Sequence, residues 1–417
     1  MNTLNYRITE LDNGIRIITE TVDYVQSMSM GVWVGVGSRY EERYENGITH
    51  FIEHMLFKGT ERRSAQDIAE QIDAVGGQIN AFTSKEYTCY YVKALSENFE
   101  LAADMLSDML FHSRFADAEL AKEREVIIEE IKMYEDTPDE LVNDLFAADI
   151  WGDHPLGWTI LGPEEVLATF TGDTLRQYMQ KHYTGANMVI SVVGNIDHNQ
   201  VVNTLKPLFG HIPRGSRNAY LPAPQTVKGL NCHYKDIGQA QICLGVPGVS
   251  NNDDLLYPIS LLNTYLGGGL SSRLVQRIRE DMGLAYSVYS YHGAYSDTGR
   301  LVISVGTRPD NCQKVLDMIA EELHQIAKNG ISSQELHRAF CQMKGSLFMG
   351  LESVNSRMNK LGRSLLIQNQ IITPEESVEL LSRVSVEDIQ HLANQLFLSN
   401  DYTVTVLGPV ENLKFKL

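Results

Sequence analysis

The chain has 417 residues, more than one ordinary hydrophobic core supports, and this length predicts two or three domains. Its composition is 43% apolar and 21% charged, as in globular proteins, and no apolar run approaches the roughly 20 residues that span a bilayer. The formal net charge of −18 argues against nucleic-acid binding, because phosphate contacts need clustered lysine and arginine. We therefore expect neither nucleic acid nor a membrane as a partner.

The cysteines and the N-terminus bear on the cellular location. The five cysteines are scattered along the chain without a CxxC pair, which is typical of free thiols in a reducing compartment. Residues 1–10 lack a basic segment followed by an apolar one, so we expect no signal peptide. Together these features predict a cytoplasmic protein.

The first elements in chain order are strands. Residues 1–10 precede a turn at residues 12–14 and are expected to form an edge strand. The segments 15–20 and 28–35 show the alternation of antiparallel strands. Helical patterns come in blocks between the strand patterns, which favours the α+β class.

The next element is a short helix that carries His50-Phe-Ile-Glu-His54, an HxxEH pattern. Gly47 and Gly59 bracket this helix. His50 and His54 are four residues apart, so both imidazoles lie on one face and can bind one metal ion. Glu53 lies on the same side, where it can accept a proton from water at the metal without binding the ion. The pattern predicts a catalytic zinc site with Glu53 as general base.

A third ligand is expected from a glutamate-rich helix, Asp117–Glu135. A catalytic zinc takes three protein ligands and keeps one position open. The inward-facing stripe of this helix is predicted to contain the apolar residues Val126, Ile127 and Ile131. Glu123 and Glu130 flank that stripe, and a carboxylate there needs a partner, whereas other glutamates of the helix can be solvated. The pattern alone does not separate Glu123 from Glu130.

The chain repeats itself once. A capped helix pattern at 170–184 leads into an apolar strand pattern at 187–196, and the same succession recurs at 384–397 and 402–410. Gly194 corresponds to Gly408, and Asp173 corresponds to Asp388 at nearly the same offset. We therefore predict two homologous domains, each an antiparallel sheet flanked by helices.

The domain boundaries follow from the repeat and from a polar, proline-containing stretch. We assign residues 1–212 to the N-terminal domain, 213–229 to a linker and 230–417 to the C-terminal domain. Residues 258–264, where the repeat would place a second HxxEH pattern, contain no metal-ligand residues. One zinc ion per chain is therefore expected.

A set of ordered segments carries a family resemblance. They are residues 47–60, 80–86, 124–131, 154–157, 266–273 and 279–286. With these segments the sequence resembles the pitrilysin superfamily of inverzincin peptidases. It is most similar to the short-chain branch that includes the catalytic subunit of mitochondrial processing peptidase and its bacterial relatives. The resemblance covers nearly the whole chain.

The resemblance implies roles for residues of the N-terminal domain. The spacing of the family's ligands assigns the third zinc ligand to Glu130. Glu123, one heptad earlier, becomes an outer residue that orients the site. The segment Asn80-Ala81-Phe82 matches an exposed edge strand, to which substrate adds as a further β-strand.

In the C-terminal domain the resemblance implies a substrate-binding pair. Arg279 and Tyr286 correspond to family residues that hydrogen-bond the substrate backbone near the scissile carbonyl. The tyrosine is expected to stabilise the developing oxyanion. The domain itself corresponds to the family's inactive duplicate.

The resemblance thus implies a zinc metalloendopeptidase that hydrolyses peptides or unfolded segments in a closed chamber. A homodimer is expected to build that chamber, and the negative charge favours basic peptides. The alternative is a non-catalytic partner or assembly subunit of the same family, but such members typically lose the HxxEH pattern, which is present here. A peptide-binding chaperone with a structural zinc is a third possibility, although a structural zinc would have a fourth protein ligand.

Overall fold

The computed structural model describes residues 6–218 and 221–416. The strands are β1 (Tyr6–Glu10), β2 (Arg16–Thr21), β3 (Ser27–Val34), β4 (Gln78–Thr83), β5 (Thr88–Leu95), β6 (Met188–Gly194), β7 (Gly229–His233), β8 (Ala240–Gly248), β9 (Ala285–Ala294), β10 (Gly299–Thr307) and β11 (Thr403–Leu407). The α-helices are α1 (Ile48–Leu56), α2 (Ala65–Ala74), α3 (Phe99–His112), α4 (Asp117–Glu135), α5 (Pro138–Trp151), α6 (Glu164–Leu167), α7 (Gly172–His182), α8 (His198–Phe209), α9 (Leu256–Gly267), α10 (Cys312–Asn329), α11 (Ser333–Gly350), α12 (Val354–Arg363), α13 (Pro374–Ser382) and α14 (Val386–Phe397). Two π-helical segments occur at Val275–Asp281 and Ser364–Gln368.

The chain forms two compact units. The first comprises Met1–Ile131, Thr159–Leu221 and Gly350–Ile372. Its six-stranded sheet has the order β1-β2-β6-β3-β5-β4, so β1 and β4 are the edge strands. The expected N-terminal edge strand is thus confirmed for the described residues from Tyr6 onward.

Apolar side chains cover both faces of the first sheet. One face contributes residues such as Val32 and Ile190 to a core shared with α1, α3, α7 and α8. On the other face Trp33 packs with Met358 of α12. A Cβ atom at Gly362 would lie 2.1 Å from Nε1 of Trp33, so only glycine permits this close approach. Burial on both faces makes the central strands almost continuously apolar.

The second unit comprises Lys132–Trp158, Pro222–Met349 and Thr373–Leu417. Its sheet has the order β7-β11-β8-β10-β9. Helices α9, α10 and α14 cover one face, and α5 covers the other. A capping box at Ser385 begins α14, just as one at Thr171 begins α7.

Apart from the additional edge strand β1, the two sheets share a topology, which confirms the predicted repeat and the α+β class. Strand β6 pairs parallel with β2 and antiparallel with β3, and β11 pairs in the same way with β7 and β8. Gly194 is the last residue of β6 and Gly408 directly follows β11, with φ angles of 150° and 153°. Each sheet therefore contains one parallel pair among antiparallel ones, which strand alternation alone did not reveal.

Each compact unit includes one helix from the other half of the sequence. Helix α12 follows the second sheet's strands β7–β10 in sequence but packs on β3 and β6, whereas α5 comes from the first half and packs on β8 and β11. The predicted domains 1–212 and 230–417 are contiguous and so do not describe this exchange. The pattern of a helix shows which face is buried but not which sheet covers it.

Helix α4 has the predicted bounds, but its inward stripe differs from the prediction. Val126 is 50% exposed, so its assignment to the stripe is wrong, while Ile127 is fully buried. The buried residues of this helix are Leu120, Glu123, Ile127 and Ile128. Successive residues lie 100° apart around a helix, so Val126 and Ile128 are about 200° apart. When Ile127 faces the core, its two neighbours therefore cannot both be fully buried. None of the helices in the described ranges combines the length and apolarity needed to cross a membrane.

Candidate metal centre

Helix α1 places two imidazoles on one face. Its apolar residues Phe51, Ile52 and Met55 are buried in the first core, which fixes the rotation of the helix. His50 and His54 then project on a common side, with ring centroids 4.6 Å apart. This is the arrangement expected for side chains four residues apart.

Helix α4 brings a carboxylate to the two histidines. Oε2 of Glu130 lies 3.8 Å from Nε2 of His50 and 3.6 Å from Nε2 of His54. Bond lengths near 2.0–2.1 Å in a tetrahedral zinc site place neighbouring ligand atoms about 3.3 Å apart. One ligand atom from each of these three residues lies within 4.8 Å of the others, and no other such group occurs in the described residues. Two imidazoles and one carboxylate with this spacing fit a zinc ion with an open position.

Glu123 contacts His54 on the side of the ring opposite to Glu130. Its Oε2 lies 3.2 Å from Nδ1 of His54, and its Oε1 lies 2.7 Å from Nζ of Lys58. A proton on Nδ1 shared with this carboxylate leaves the lone pair of Nε2 for a metal. Of the two glutamates that the sequence left open, Glu130 therefore lies with the imidazole Nε2 atoms and Glu123 orients His54. The exposed Glu125 and Glu135 of the same helix do not join the group.

The protonation state of His50 suits metal binding. Burial, followed by the nearby His54, lowers the pKa of His50 to about 3. The imidazole is therefore neutral near pH 7, and neutral imidazole is the form that binds metal ions.

Glu53 is placed next to the histidine–carboxylate group. Burial raises the pKa of Glu53, and a 2.5 Å hydrogen bond donated by the hydroxyl of Thr83 partly offsets this effect. Two smaller effects act on the same pKa: the charge of His54 lowers it, and the charge of Glu130 raises it. A carboxylate with a raised pKa is a better proton acceptor near neutral pH, as a general base requires.

Strand β4, which carries Asn80, Ala81 and Phe82, is an edge strand. The backbone N–H of Ser84 donates to the carbonyl of Tyr87 at the end of the β4–β5 ladder. Hydrogen-bonded pairs alternate along an antiparallel ladder, so the backbone groups of Ala81 face the open edge. The N–H of Ala81 accordingly donates to the side chain of Asn80 rather than to β5.

Arg279 and Tyr286 belong to the second unit. Arg279 lies in the π-helical segment Val275–Asp281 and Tyr286 in β9, an edge strand. The guanidinium carbon lies 5.6 Å from the centroid of the tyrosine ring, which is within the range of cation–π contacts. Tyr286 is 80% exposed, so the pair is accessible.

Three residues near the site were not identified from the sequence. Lys58 follows His54 by four residues, a spacing that could have indicated it. Thr83 lies two residues beyond Ala81, on the same face of β4. Glu41 precedes α1 in an irregular segment and accepts hydrogen bonds from the helix start, so no periodic pattern indicates it.

Family models match both halves of the chain. Residues 16–164 match the insulinase model of peptidase family M16, and residues 169–343 match the model of the peptidase M16 inactive domain. A Bacillus subtilis protein named as an uncharacterized zinc protease, YmxG, is 46% identical over 96% of this chain and 98% of its own length. A Streptomyces coelicolor protein, also named as an uncharacterized zinc protease, is 39% identical over 97% of this chain and 90% of its own length.

Solved structures show the same fold. A peptidase M16 inactive domain from Pseudomonas fluorescens has a TM-score of 0.92, with 20% identity over 99% of this chain and all of that one. A protease from Helicobacter pylori has a TM-score of 0.90, with 22% identity over 97% of this chain and all of that one. The resemblance to the pitrilysin superfamily is thus confirmed, and the chain belongs to peptidase family M16.

Proposed function

We propose that this chain is a zinc metalloendopeptidase. The observation that carries the proposal is the convergence of His50, His54 and Glu130, with the half-buried carboxylate of Glu53 beside them. The relatives named as zinc proteases align over nearly the whole chain, which supports the same activity here. A non-catalytic subunit would not need to retain both the three ligands and the base.

The residues of the chain have separate parts in the reaction. A bound zinc supplies Lewis acidity towards the scissile carbonyl and the attacking water. Glu53 accepts a proton from that water and later delivers it to the leaving amine. The hydroxyl of Thr83 donates to Glu53 and holds the carboxylate in place. Arg279 and Tyr286 are proposed to hydrogen-bond the substrate backbone, with the tyrosine stabilising negative charge on the carbonyl oxygen.

We also propose that substrate binds as an additional strand beside β4. The support is that β4 is an edge strand and that the backbone groups of Ala81 face its open side. Thr83 of the same strand contacts Glu53, so the strand ends beside the base. Main-chain pairing accommodates varied side chains, which suits an endopeptidase acting on peptides and unfolded segments.

The assembly belongs to the same proposal. A homodimer would enclose the sites in a chamber and admit only peptides or unfolded segments. The net charge of −18 would favour basic peptides. The cytoplasmic location and the assignment to the processing-peptidase branch remain predictions.

The test is hydrolysis of a quenched basic peptide by the zinc-loaded chain. Glu53→Gln should retain zinc and lower turnover by about 10²–10⁴-fold, because it removes the base and leaves the ligands. Glu130→Gln should weaken zinc binding itself. Glu125→Gln, an exposed change on the same helix as Glu130, is the control and should change neither quantity. A zinc-loaded wild type without hydrolysis, or a Glu53→Gln variant with near-normal turnover, would refute the proposal.

A further inference from the structure

A segment with two short 3₁₀ helices leads from β3 into α1 and contacts the hairpin that carries the edge strand β4. Residues 37–49, which we call the strap, follow β3 and include the first turn of α1. The strap contacts the turn of the β4–β5 hairpin at one end and caps α1 at the other. The residues responsible are Arg39 and Glu41, which are only two positions apart.

The first contact is with the hairpin turn. Nη1 of Arg39 donates to Oε1 of Glu86 at 2.7 Å, and the two side chains are only 2% and 4% exposed. The backbone N–H groups of Ser38 and Arg39 also donate to the carbonyls of Ser84 and Lys85, at 3.2 and 2.7 Å. At the start of the strap, a Cβ atom on Gly37 would lie 2.1 Å from the carbonyl oxygen of Ser84. The strap and the hairpin turn are therefore held together by a buried ion pair, two backbone hydrogen bonds and close packing.

The second contact is with the N-terminus of α1. Glu41 is 3% exposed, and its carboxylate accepts from the backbone N–H groups of Gly47 and Thr49, at 2.8 and 2.9 Å. It also accepts from Nδ2 of Asn46 at 3.0 Å. A carboxylate in this position satisfies helix N–H groups that have no intrahelical partner and interacts favourably with the helix dipole. The residue that follows Thr49 is His50, so Glu41 holds the turn that presents the first histidine.

The position of the β4–β5 hairpin depends on its contact with the strap, because one side of β4 has no neighbouring strand. Two extended residues span at most about 7 Å, so the link between Arg39 and Glu41 has little slack. Strands rise about 3.3 Å per residue. A displacement of β4 by one such step along its axis would therefore bring a different peptide bond of a paired substrate to the metal.

We propose that the strap is a positioning element that sets the register between β4 and α1, and thereby which bond of a β4-paired peptide is cleaved. Arg39, Glu86 and Glu41 are its positioning residues, and none of them belongs to the metal-ligand group. This inference rests on the proposed peptidase function and on substrate pairing with β4. It extends both by naming what determines the cleaved bond.

The experiment measures the distribution of cleaved bonds in one long peptide by mass spectrometry. In the variant Arg39→Met/Glu86→Leu, apolar residues replace the ion pair, a change that often preserves folding while removing the directional contact. The matched control is Arg357→Met/Glu20→Leu, which replaces another arginine–glutamate pair of the same unit, between α12 and β2, in which Glu20 is buried and Arg357 is 20% exposed. Glu41→Gln is a second variant that keeps the side-chain volume. Thermal unfolding and zinc affinity are measured for each protein.

The strap variant should bind zinc as the wild type does, but at least a several-fold larger fraction of its cleavage should fall on bonds next to the principal one. Glu41→Gln should broaden the distribution in the same way and weaken zinc binding several-fold. The control should retain the wild-type distribution. If the folded strap variants and the control all cleave the wild-type bonds, the strap is only structural and the inference is wrong. A zinc-loaded wild type that leaves the peptide intact instead refutes the proposed function, and the inference with it.

Discussion

At the scale of single residues, Glu53 and His54 of the candidate metal centre each have a partner that fixes the orientation of the side chain. Glu53 accepts from Thr83, and His54 contacts Glu123, which in turn pairs with Lys58. The side chain of Glu123 is only 6% exposed, so its charge interacts strongly with its neighbours. These contacts make the zinc affinity depend on residues that do not touch the metal.

The first prediction concerns Glu123. Glu123→Gln should weaken zinc binding by about 10–100-fold, because it removes a negative charge near the ion and loosens the orientation of His54. The measurement is competition with a chelator of known affinity. Glu125→Gln removes the same charge from an exposed position of α4 and should have little effect. Equal affinities for the two variants would contradict the role assigned to Glu123.

A second residue-scale prediction concerns acid stability. Burial raises the pKa of Asp108, but hydrogen bonds from Thr60, Arg62 and Arg63 outweigh burial, so the pKa is lowered from 3.8. The ionised carboxylate therefore stabilises the fold above pH 3.8, and this contribution disappears as the pH falls through the lower, folded-state pKa. Asp108→Asn should lower the free energy of unfolding by about 3 kcal/mol at pH 7.

Urea unfolding over a range of pH tests this expectation. The difference between wild type and Asp108→Asn should be constant above about pH 5 and should shrink below pH 3.8. Asp173→Asn is the control, because Asp173 is 84% exposed and its ion pair with Arg176 lies at the surface. A difference that grew towards acid pH would show that the sign is wrong.

At the scale of elements, the two edges of the first sheet permit a matched comparison. Ala81 of β4 and Ile8 of β1 both occupy positions whose backbone groups face away from the neighbouring strand. Proline removes a backbone N–H, and edge strands tolerate it where that N–H faces outward. The same substitution can therefore be made at either edge without removing a ladder hydrogen bond.

The third prediction follows from this comparison. Ala81→Pro should raise KM for peptides about tenfold or more, because a substrate strand loses one main-chain hydrogen bond and meets the proline ring. Ile8→Pro at the opposite edge should leave KM unchanged. Both melting temperatures should stay within a few degrees of the wild type. If the two variants had the same KM, substrate would not pair with β4.

At the scale of the whole molecule, the sheet topology is duplicated, but within the described residues a single cluster of three possible metal ligands occurs, in the first unit. Apart from β1, the strands of the two sheets pair in the same way, but residues 258–264 of the second unit lie within α9 and carry no metal-ligand side chains. The fourth prediction is therefore one tightly bound zinc per chain. Elemental analysis after dialysis measures the ratio, and two tightly held ions would contradict the prediction.

The fifth prediction concerns a homodimer in which Arg279 and Tyr286 of one subunit serve the zinc of the other. Glu53→Gln and Arg279→Ala should each be nearly inactive alone. When the two variants exchange subunits, each mixed dimer should regain one complete site, and activity should recover to roughly a quarter of wild type. Native mass spectrometry verifies the exchange. Verified exchange without recovery would exclude a shared site.

The sequence by itself determined the features that depend on local patterns. The spacing of His50, Glu53 and His54 placed them on one side of a helix, and the apolar and acidic pattern set the bounds Asp117–Glu135 correctly. The repeated helix–strand succession predicted two related sheets, and the topology confirms them. These properties follow from backbone geometry over a few residues, which the order of side chains records directly.

Only the tertiary structure decided the features that join distant segments. It showed that Thr83 contacts Glu53 and that Arg39 pairs with Glu86, and it placed Glu130 with the imidazoles, which the helical pattern had not separated from Glu123. It also showed that α5, from the first half of the sequence, belongs to the second compact unit and that α12, from the second half, belongs to the first. Helix periodicity predicts a buried face but not its partner, and the buried pairing of Arg39 with Glu86 follows no local period. Such contacts are set by how sheets and helices pack, so they emerge only when the whole chain is folded.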